Sequence, residues 1–253
     1  MLFRSPFRNA LKFGTDVVAN ATSLMSSGAA KPSVSALEIA ALFRHAETIP
    51  GMCDHEKIKA LCDIFRHSRA GDVVEIGSWW GKSAFVLSRL AAYYDVGKLL
   101  CVDPWSKEHL SQRDEKGLLD RVTVNANEAL TVFLLNLLPY ANGRVNYLRL
   151  PSVDAAAEYR LKRNVVSEVF GTTAYSARIA VLHVDGNHNY ESARSDVEAW
   201  AGLMVPGGWL IIDDYVWPYG DGPQRVGDEF LDRRRDSISC AFVQGSALFI
   251  QVE

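Results

Sequence analysis

From Gly71 onward, short apolar runs alternate with stretches of helical periodicity. Val73-Val74-Glu75-Ile76 reads as a strand that stops at Gly77, and Lys82 to about Tyr94 reads as the helix after it. Leu99 to Val102 repeats the pattern, stops at Asp103-Pro104, and is followed by helical sequence from about Leu118 to Leu138. Val145 to Leu150 gives a third strand. Ile179 to Val184 gives a fourth, stopping at Asp185; its helix runs from Ser192 to Leu203 and is ended by Pro206-Gly207-Gly208. Trp209 to Ile212 gives a fifth, stopping at Asp213-Asp214. Apolar strands separated by helices predict an α/β fold with a doubly wound, mostly parallel sheet. The tail differs. Alternation at Ile238, Cys240 and Phe242, then at Leu248, Ile250 and Val252, flanks Gln244-Gly245-Ser246 and predicts a C-terminal antiparallel hairpin that completes seven strands.

The segment ahead of the sheet has another character. Phe3, Phe7 and Leu11 recur at helical spacing with Arg4, Arg8 and Lys12 beside them, a short basic amphipathic pattern. Such a pattern suits weak contact with a membrane surface or a partner through residues 1–20, and equally a packing helix or a frayed end. Ala21 to Ser35 is small and polar, as in a flexible linker. A helix is expected from Ser35, its N-cap, to Phe43; Pro50-Gly51 marks a turn; and His55 to His67 forms a further helix with Ile58, Leu61, Cys62 and Phe65 on one face. The expected organisation is a helical appendage and linker over 1–50 and one sheet domain over 51–253.

Composition removes several function classes. A net charge of -3 over 253 residues offers no global field for nucleic acid. No run approaches the roughly 18 apolar residues of a membrane span, and the N-terminal apolar residues form no continuous secretory core. Cys53, Cys62, Cys101 and Cys240 are scattered, without metal spacing, and read as reduced structural cysteines. The expected location is the cytoplasm, peripheral to the inner membrane face if residues 1–20 engage it. A homo-oligomer is the expected assembly.

Ligands of such sheets sit beyond the carboxyl ends of the strands. Those ends carry Glu75, Asp103, Ser152, Asp185, Asp213 and Asp214. Acids gathered there repel one another unless a cation, a metal or a polyhydroxylated group joins them. Glu75-Ile76-Gly77-Ser78-Trp79-Trp80-Gly81-Lys82-Ser83, between the first strand and its helix, narrowly misses two phosphate-binding patterns. A P-loop needs a glycine where Ile76 stands, and a dinucleotide fingerprint needs one where Glu75 stands. A cofactor with a cationic amine suits the acid better. The spacing ExGxxxGxS resembles motif I of the class I S-adenosylmethionine-dependent methyltransferases, a Rossmann-like fold. The Pro50-Gly51 turn, the VVEIGSWWGKS segment and His183-Val184-Asp185-Gly186-Asn187-His188-Asn189-Tyr190 resemble the family-24 subgroup, similar to O-methyltransferases of sugars and antibiotic scaffolds.

The resemblance implies that Glu75, Gly77, Ser78, Gly81 and Ser83 hold the methionyl part of the cofactor and that Asp103 binds its ribose. It also implies that Asp185 shares the cofactor site, with Ser152 only loosely matching the position near the adenine. Trp105 could stack on a ring or simply fill the core. The resemblance further implies Mg²⁺ held by Asp185, Asp213 and Asp214, a donor set suited to that ion. Some of these enzymes place a base two residues after the strand-four aspartate. Asn187 stands there in this chain and cannot serve, so His188, beside Asp185, is the candidate base or metal-site orienter. His183 lies within a strand and is expected in the core. Tyr215, Trp217 and Tyr219, with Trp79 and Trp80, could cover a sugar face, or could be ordinary loop packing. Arg233-Arg234-Arg235 reads as a solvated helix face more readily than as an anion clamp. The expected activity is methyl transfer to a hydroxyl of a sugar on a glycan, lipid-linked saccharide or natural product. The rivals are a nucleotide-dependent oxidoreductase on a similar sheet and a noncatalytic subunit that keeps the cofactor pocket.

Overall fold

A computed structural model describes residues 31, 34–106 and 125–253. The expected N-terminal amphipathic pattern, most of the linker, and the first part of the helix expected from Leu118 lie outside these residues. Within them, β1 (Asp72–Ile76), β2 (Leu99–Val102), β3 (Val145–Leu148), β6 (Ile179–Val184) and β7 (Met204–Ile212) run parallel, while β8 (Ile238–Gln244) and β9 (Ala247–Val252) form the hairpin. β4 (Asn164–Ser167) and β5 (Gly171–Ala174) form a separate antiparallel pair. The main sheet has seven strands in the order β3-β2-β1-β6-β7-β9-β8, with β9 antiparallel to β7. Every residue of β1, β2 and β6 is buried, which is why these segments read as apolar runs broken only by Asp72 and Glu75 in β1 and His183 in β6.

The α-helices among the described residues are α1 (Ala36–Ala46), α2 (His55–His67), α3 (Lys82–Tyr93), α4 (Ala126–Leu137), α5 (Ser152–Leu161), α6 (Tyr190–Trp200) and α7 (Gly222–Arg233). Ser35 caps α1 as expected: its hydroxyl accepts from the Glu38 amide at 3.2 Å, and the Glu38 carboxylate accepts in return from the Ser35 amide at 3.0 Å. Leu42 and Ala46 of α1, and Ile58, Leu61 and Phe65 of α2, join one apolar cluster with α3 on one face of the sheet. A second cluster on the other face takes Ala155 and Tyr159 of α5, Val197 and Trp200 of α6, and Val226 and Phe230 of α7. None of the described helices is long and apolar enough to cross a membrane. All four cysteines are free, and burial pushes the Cys53 and Cys62 thiols up to about 12, which leaves them unreactive.

Three local features depart from the pattern-based expectation. Pro206, Gly207 and Gly208 lie inside β7 rather than ahead of it, where the register slips between Ile179↔Met204 and Val181↔Trp209. A proline and two glycines are the residues a sheet tolerates at such a bulge. α5 was hidden because Ala155-Ala156-Ala157 gives its sequence no apolar stripe. The β4–β5 pair is short and half exposed, so it lacks a buried signature.

The amino end of β1 is tied down by one buried carboxylate. Asp72 Oδ2 accepts from Tyr159 Oη at 2.6 Å, from Ser176 at its amide (2.7 Å) and hydroxyl (2.9 Å), and from the Ala177 amide at 3.0 Å. Removing this acceptor strands the buried Tyr159 hydroxyl, while the donors of the partly exposed Ser176–Ala177 turn can reach water. Asp72→Ala is therefore expected to cost about 1–3 kcal/mol, lowering Tm by roughly 2–12 °C in a thermal melt.

Candidate functional site

Strand order reverses at β1, between β2 and β6, and the crevice at that reversal is where such sheets bind ligands. Gly77 follows β1 and Asp185 follows β6, and the two backbones touch. A Cβ on Gly77, whose φ is +82°, would overlap the Asp185 carbonyl oxygen. Gly81, at φ +87°, starts α3 against Leu137 and Phe133 of α4. Beside this junction lies a cavity of about 650 Å³, within the 300–1,000 Å³ or so typical of ligand clefts. Of the residues expected to contact the cofactor, Gly77, Ser78, Gly81, Ser83, Asp103, Ser152 and Asp185 line it; Asp214 and His188 do as well.

Asp103 organises the loops around it. Its Oδ2 accepts from the Ser78 and Trp79 amides at 3.1 and 3.0 Å, and its Oδ1 from the Trp105 amide at 2.7 Å. Trp79 (φ 44°) and Trp105 (φ 40°) both hold the left-handed conformation, which costs about 1–2 kcal/mol for a side chain of this kind. The shared carboxylate and a bond from Trp105 Nε1 to the Trp79 carbonyl at 2.9 Å hold them there. Burial pushes the Asp103 carboxyl up, and the three amides oppose that shift. Trp105 is fully buried and does not line the cavity, so the structure gives it the core role.

Glu75 does not line the cavity either. It is fully buried, accepts from Ser78 Oγ at 2.5 Å, and faces His183 Nδ1 at 3.3 Å. His183 sits opposite it in the β1–β6 register. On its other side, His183 Nε2 lies 3.5 Å from Asp213 Oδ2. Burial alone would lower the His183 pKa; Asp213 and Glu75 outweigh it and raise the value.

The three acids expected to share one metal are divided. Asp213 is buried, and its Oδ2 pairs with the ammonium of Lys57, itself 1% exposed on α2. Asp213 Oδ1 accepts from the Asp214 amide at 3.0 Å and from Ser246 Oγ at 3.2 Å. Burial would raise the Asp213 carboxyl, but Lys57 and His183 prevail and hold it well below the usual carboxylate range. Asp214, at φ 51°, turns the other way, and its Oδ2 meets His188 Nε2 at 2.7 Å. Asp185 lies between these groups. Burial, then the charges of Asp213 and Asp214, push its carboxyl well above the ordinary value, and Lys57 only partly offsets this. Two sets each bring three ligand atoms within 4.8 Å of one another: Asp185, His188 and Asp214, which all line the cavity, and His183, Asp185 and Asp213, of which only Asp185 lines it. Asp185 is common to both sets, Asp214 belongs to the cavity-facing one, and Asp213, paired with Lys57, belongs to the other.

His188 packs edge-on against Trp217, with centroids 5.0 Å apart. His188 Nε2 faces Asp214, and Nδ1 is buried without a hydrogen-bond partner. Trp79 and Trp80 stack at 4.3 Å and 12°, and both line the cavity, as does Trp217. Neither Tyr215 nor Tyr219 does; Tyr215 is buried, and its hydroxyl donates to Asp228 at 2.6 Å.

The sequence reading missed Lys57 and Asp196. Asp196, on α6, is 7% exposed and lines the cavity beside Ser152 and Gly186. Burial pushes its carboxyl up to about 6, partly offset by the Ser152 hydroxyl. A raised carboxyl ionises at a cost to the native state, so its contribution is favourable below the unfolded value near 4 and is lost as pH rises through about 6. Asp196→Asn removes that ionisation. Its stability relative to the parent is expected to grow between about pH 4 and pH 6, by up to about 3 kcal/mol, and then to level off in denaturant melts across pH.

Comparison with known proteins bears on the same region. Rv0187 from MTB, solved with its cofactor bound, superposes with a TM-score of 0.52 at 14% identity, over 86% of this chain and 90% of that one. MycE, a methyltransferase of the mycinamycin pathway solved with Mg and SAH, superposes with a TM-score of 0.51 at 19% identity, over 96% of this chain and 62% of its own length. These likenesses show the shared fold. A family profile described as a methyltransferase domain, of type 24, matches residues 74–215, from β1 through the loop after β7. The chain therefore belongs to the type-24 methyltransferase family and is an enzyme of S-adenosylmethionine-dependent methyl transfer.

Proposed function

We propose that this methyltransferase acts on oxygen, and that its acceptor is a sugar hydroxyl on a glycan, a lipid-linked saccharide or a natural product. The observation that carries the reading is the His188–Asp214 pair at the cavity wall, whose unpartnered Nδ1 is a base in waiting. Bound S-adenosylmethionine supplies an electrophilic methyl group. The chain's residues do the rest. The loop Gly77–Gly81 approaches the cofactor through its backbone. Asp103 has spent three acceptor directions on amides, which leaves about one for a ribose hydroxyl. Asp196 and Ser152 offer acceptors to the adenine amine. Glu75 supports the site indirectly by holding Ser78 and His183. His188 takes the acceptor proton at Nδ1 while Asp214 fixes the ring and its tautomer.

The stacked Trp79 and Trp80, with Trp217 and Met52, give the cavity flat, apolar walls suited to the hydrophobic face of a sugar ring. MycE, crystallised with Mg, SAH and mycinamycin VI, lends support to a small-molecule acceptor. The cavity residues also fit Mg²⁺. Asp185 and Asp214 are two carboxylates near one another and facing the cavity, and Mg²⁺ accepts one or two carboxylates plus waters. Bound there, Mg²⁺ would make the acceptor hydroxyl more acidic and fix its orientation. The transferase domain is taken to span 51–253.

Calorimetry is expected to show S-adenosylhomocysteine binding, with NAD failing to bind; the reverse preference would favour an oxidoreductase. His188→Ala is expected to lower the rate of labelled-methyl transfer to a saccharide acceptor by about 10²–10⁴-fold with S-adenosylhomocysteine affinity unchanged. A variant with parental turnover would remove His188 from the chemistry.

A further inference from the structure

We propose that Lys57 is a resident counter-cation that withholds Asp213 from a divalent metal, so that the cavity meets such an ion with two carboxylates rather than three. This rests on the transferase reading and adds a residue that the matched segment, 74–215, does not contain.

Lys57 is almost wholly buried, and a buried ammonium survives only beside a compensating charge. Its Nζ donates to Asp213 Oδ2 and to the Met52 carbonyl at 3.3 Å. Asp213 also accepts from the Asp214 amide and Ser246 Oγ, lies within hydrogen-bond reach of the Asp185 carboxyl, and has His183 Nε2 3.5 Å from its Oδ2. Lys57, the Asp214 amide and Ser246 Oγ take three of the roughly four acceptor directions of the carboxylate. A metal that used Asp213 would have to displace a buried ammonium or sit close beside it, and like charges at that range in a buried site repel strongly. The same pairing positions the dyad. Asp213 Oδ1 holds the amide of Asp214, a residue in the left-handed conformation, and Asp214 in turn holds His188. Lys57 is thus a positioning residue, acting on the imidazole through two aspartates.

The test is a gain of binding. Mn²⁺ is titrated by electron paramagnetic resonance into the full chain, Lys57→Met, and the double variant Lys57→Met/Asp213→Asn. Freeing Asp213 and removing one positive charge is expected to tighten Mn²⁺ binding on the order of tenfold in Lys57→Met. The double variant, with no carboxylate to free, is expected to return to the parental affinity. If Lys57→Met binds Mn²⁺ no more tightly than the parent, the proposal is overturned. It is equally overturned if the gain persists in the double variant. Should Lys57→Met fail to fold in metal-free buffer, its thermal melt is repeated with Mn²⁺. Recovery of a cooperative transition supports the proposal, because an ion then replaces the lost charge; no recovery overturns it. S-adenosylhomocysteine binding by the parent chain is measured alongside. Its loss would count against the transferase reading alone and leave the metal comparison standing.

Discussion

A carboxylate buried at the end of a strand has to be compensated, and this molecule is arranged around how each of its acids meets that demand. Glu75 is served by Ser78 and His183, and Asp103 by backbone amides. Asp213 has Lys57, an amide and a hydroxyl, and Asp214 has His188. Asp185 is the one left mainly with like-charged neighbours, and its carboxyl is accordingly pushed up. The site's functional asymmetry follows from this distribution. Glu75 and Asp213, satisfied from inside the protein, stay out of the cavity, whereas Asp103, Asp185 and Asp214 line it.

Most of the sheet could be read from sequence because its central strands are buried on both faces and so are mainly apolar. β2 and β6 fall on the expected residues, and the hairpin follows its alternation. The motif I loop was legible for a similar reason, since a tight turn against another strand end admits only glycine at Gly77. What could not be read was register. Glu75 lies opposite His183 only because β1 pairs with β6 in one alignment, and no local pattern encodes that pairing.

The division between Asp213 and Asp214 was partly foreseeable. Neighbouring residues leaving a strand point to opposite faces, so two adjacent acids do not readily serve one pocket. Lys57 also carried a signal. It precedes Leu61 by four residues and Ile64 by seven, which places a charge on the buried stripe of α2, where Ile58, Leu61 and Phe65 were assigned. A charge in that position requires a buried partner, although the stripe alone does not say which of several distant acids it meets. Trp105 shows the converse limit. A large aromatic next to a strand end fits both core and binding site, and only its burial assigns it to the core.

The compensation of Asp213 also bears on where the working unit begins and ends. Its charge partner comes from α2, ahead of the family segment, and its hydroxyl donor comes from Ser246, in the hairpin turn after it. The two ends meet there directly: Gln244 donates to Glu56 at 2.6 Å, and a side chain at Gly245 would press on Asp54, the cap of α2. A core of alternating strands and helices can therefore carry the glycine loop and the acids, but it cannot by itself neutralise what it buries. The cation and the hydroxyl that make this acid cluster tolerable are contributed from outside the core. Changes in α2 or in the β8–β9 turn should consequently reach His188 through Asp213 and Asp214 without altering any residue that faces the cavity.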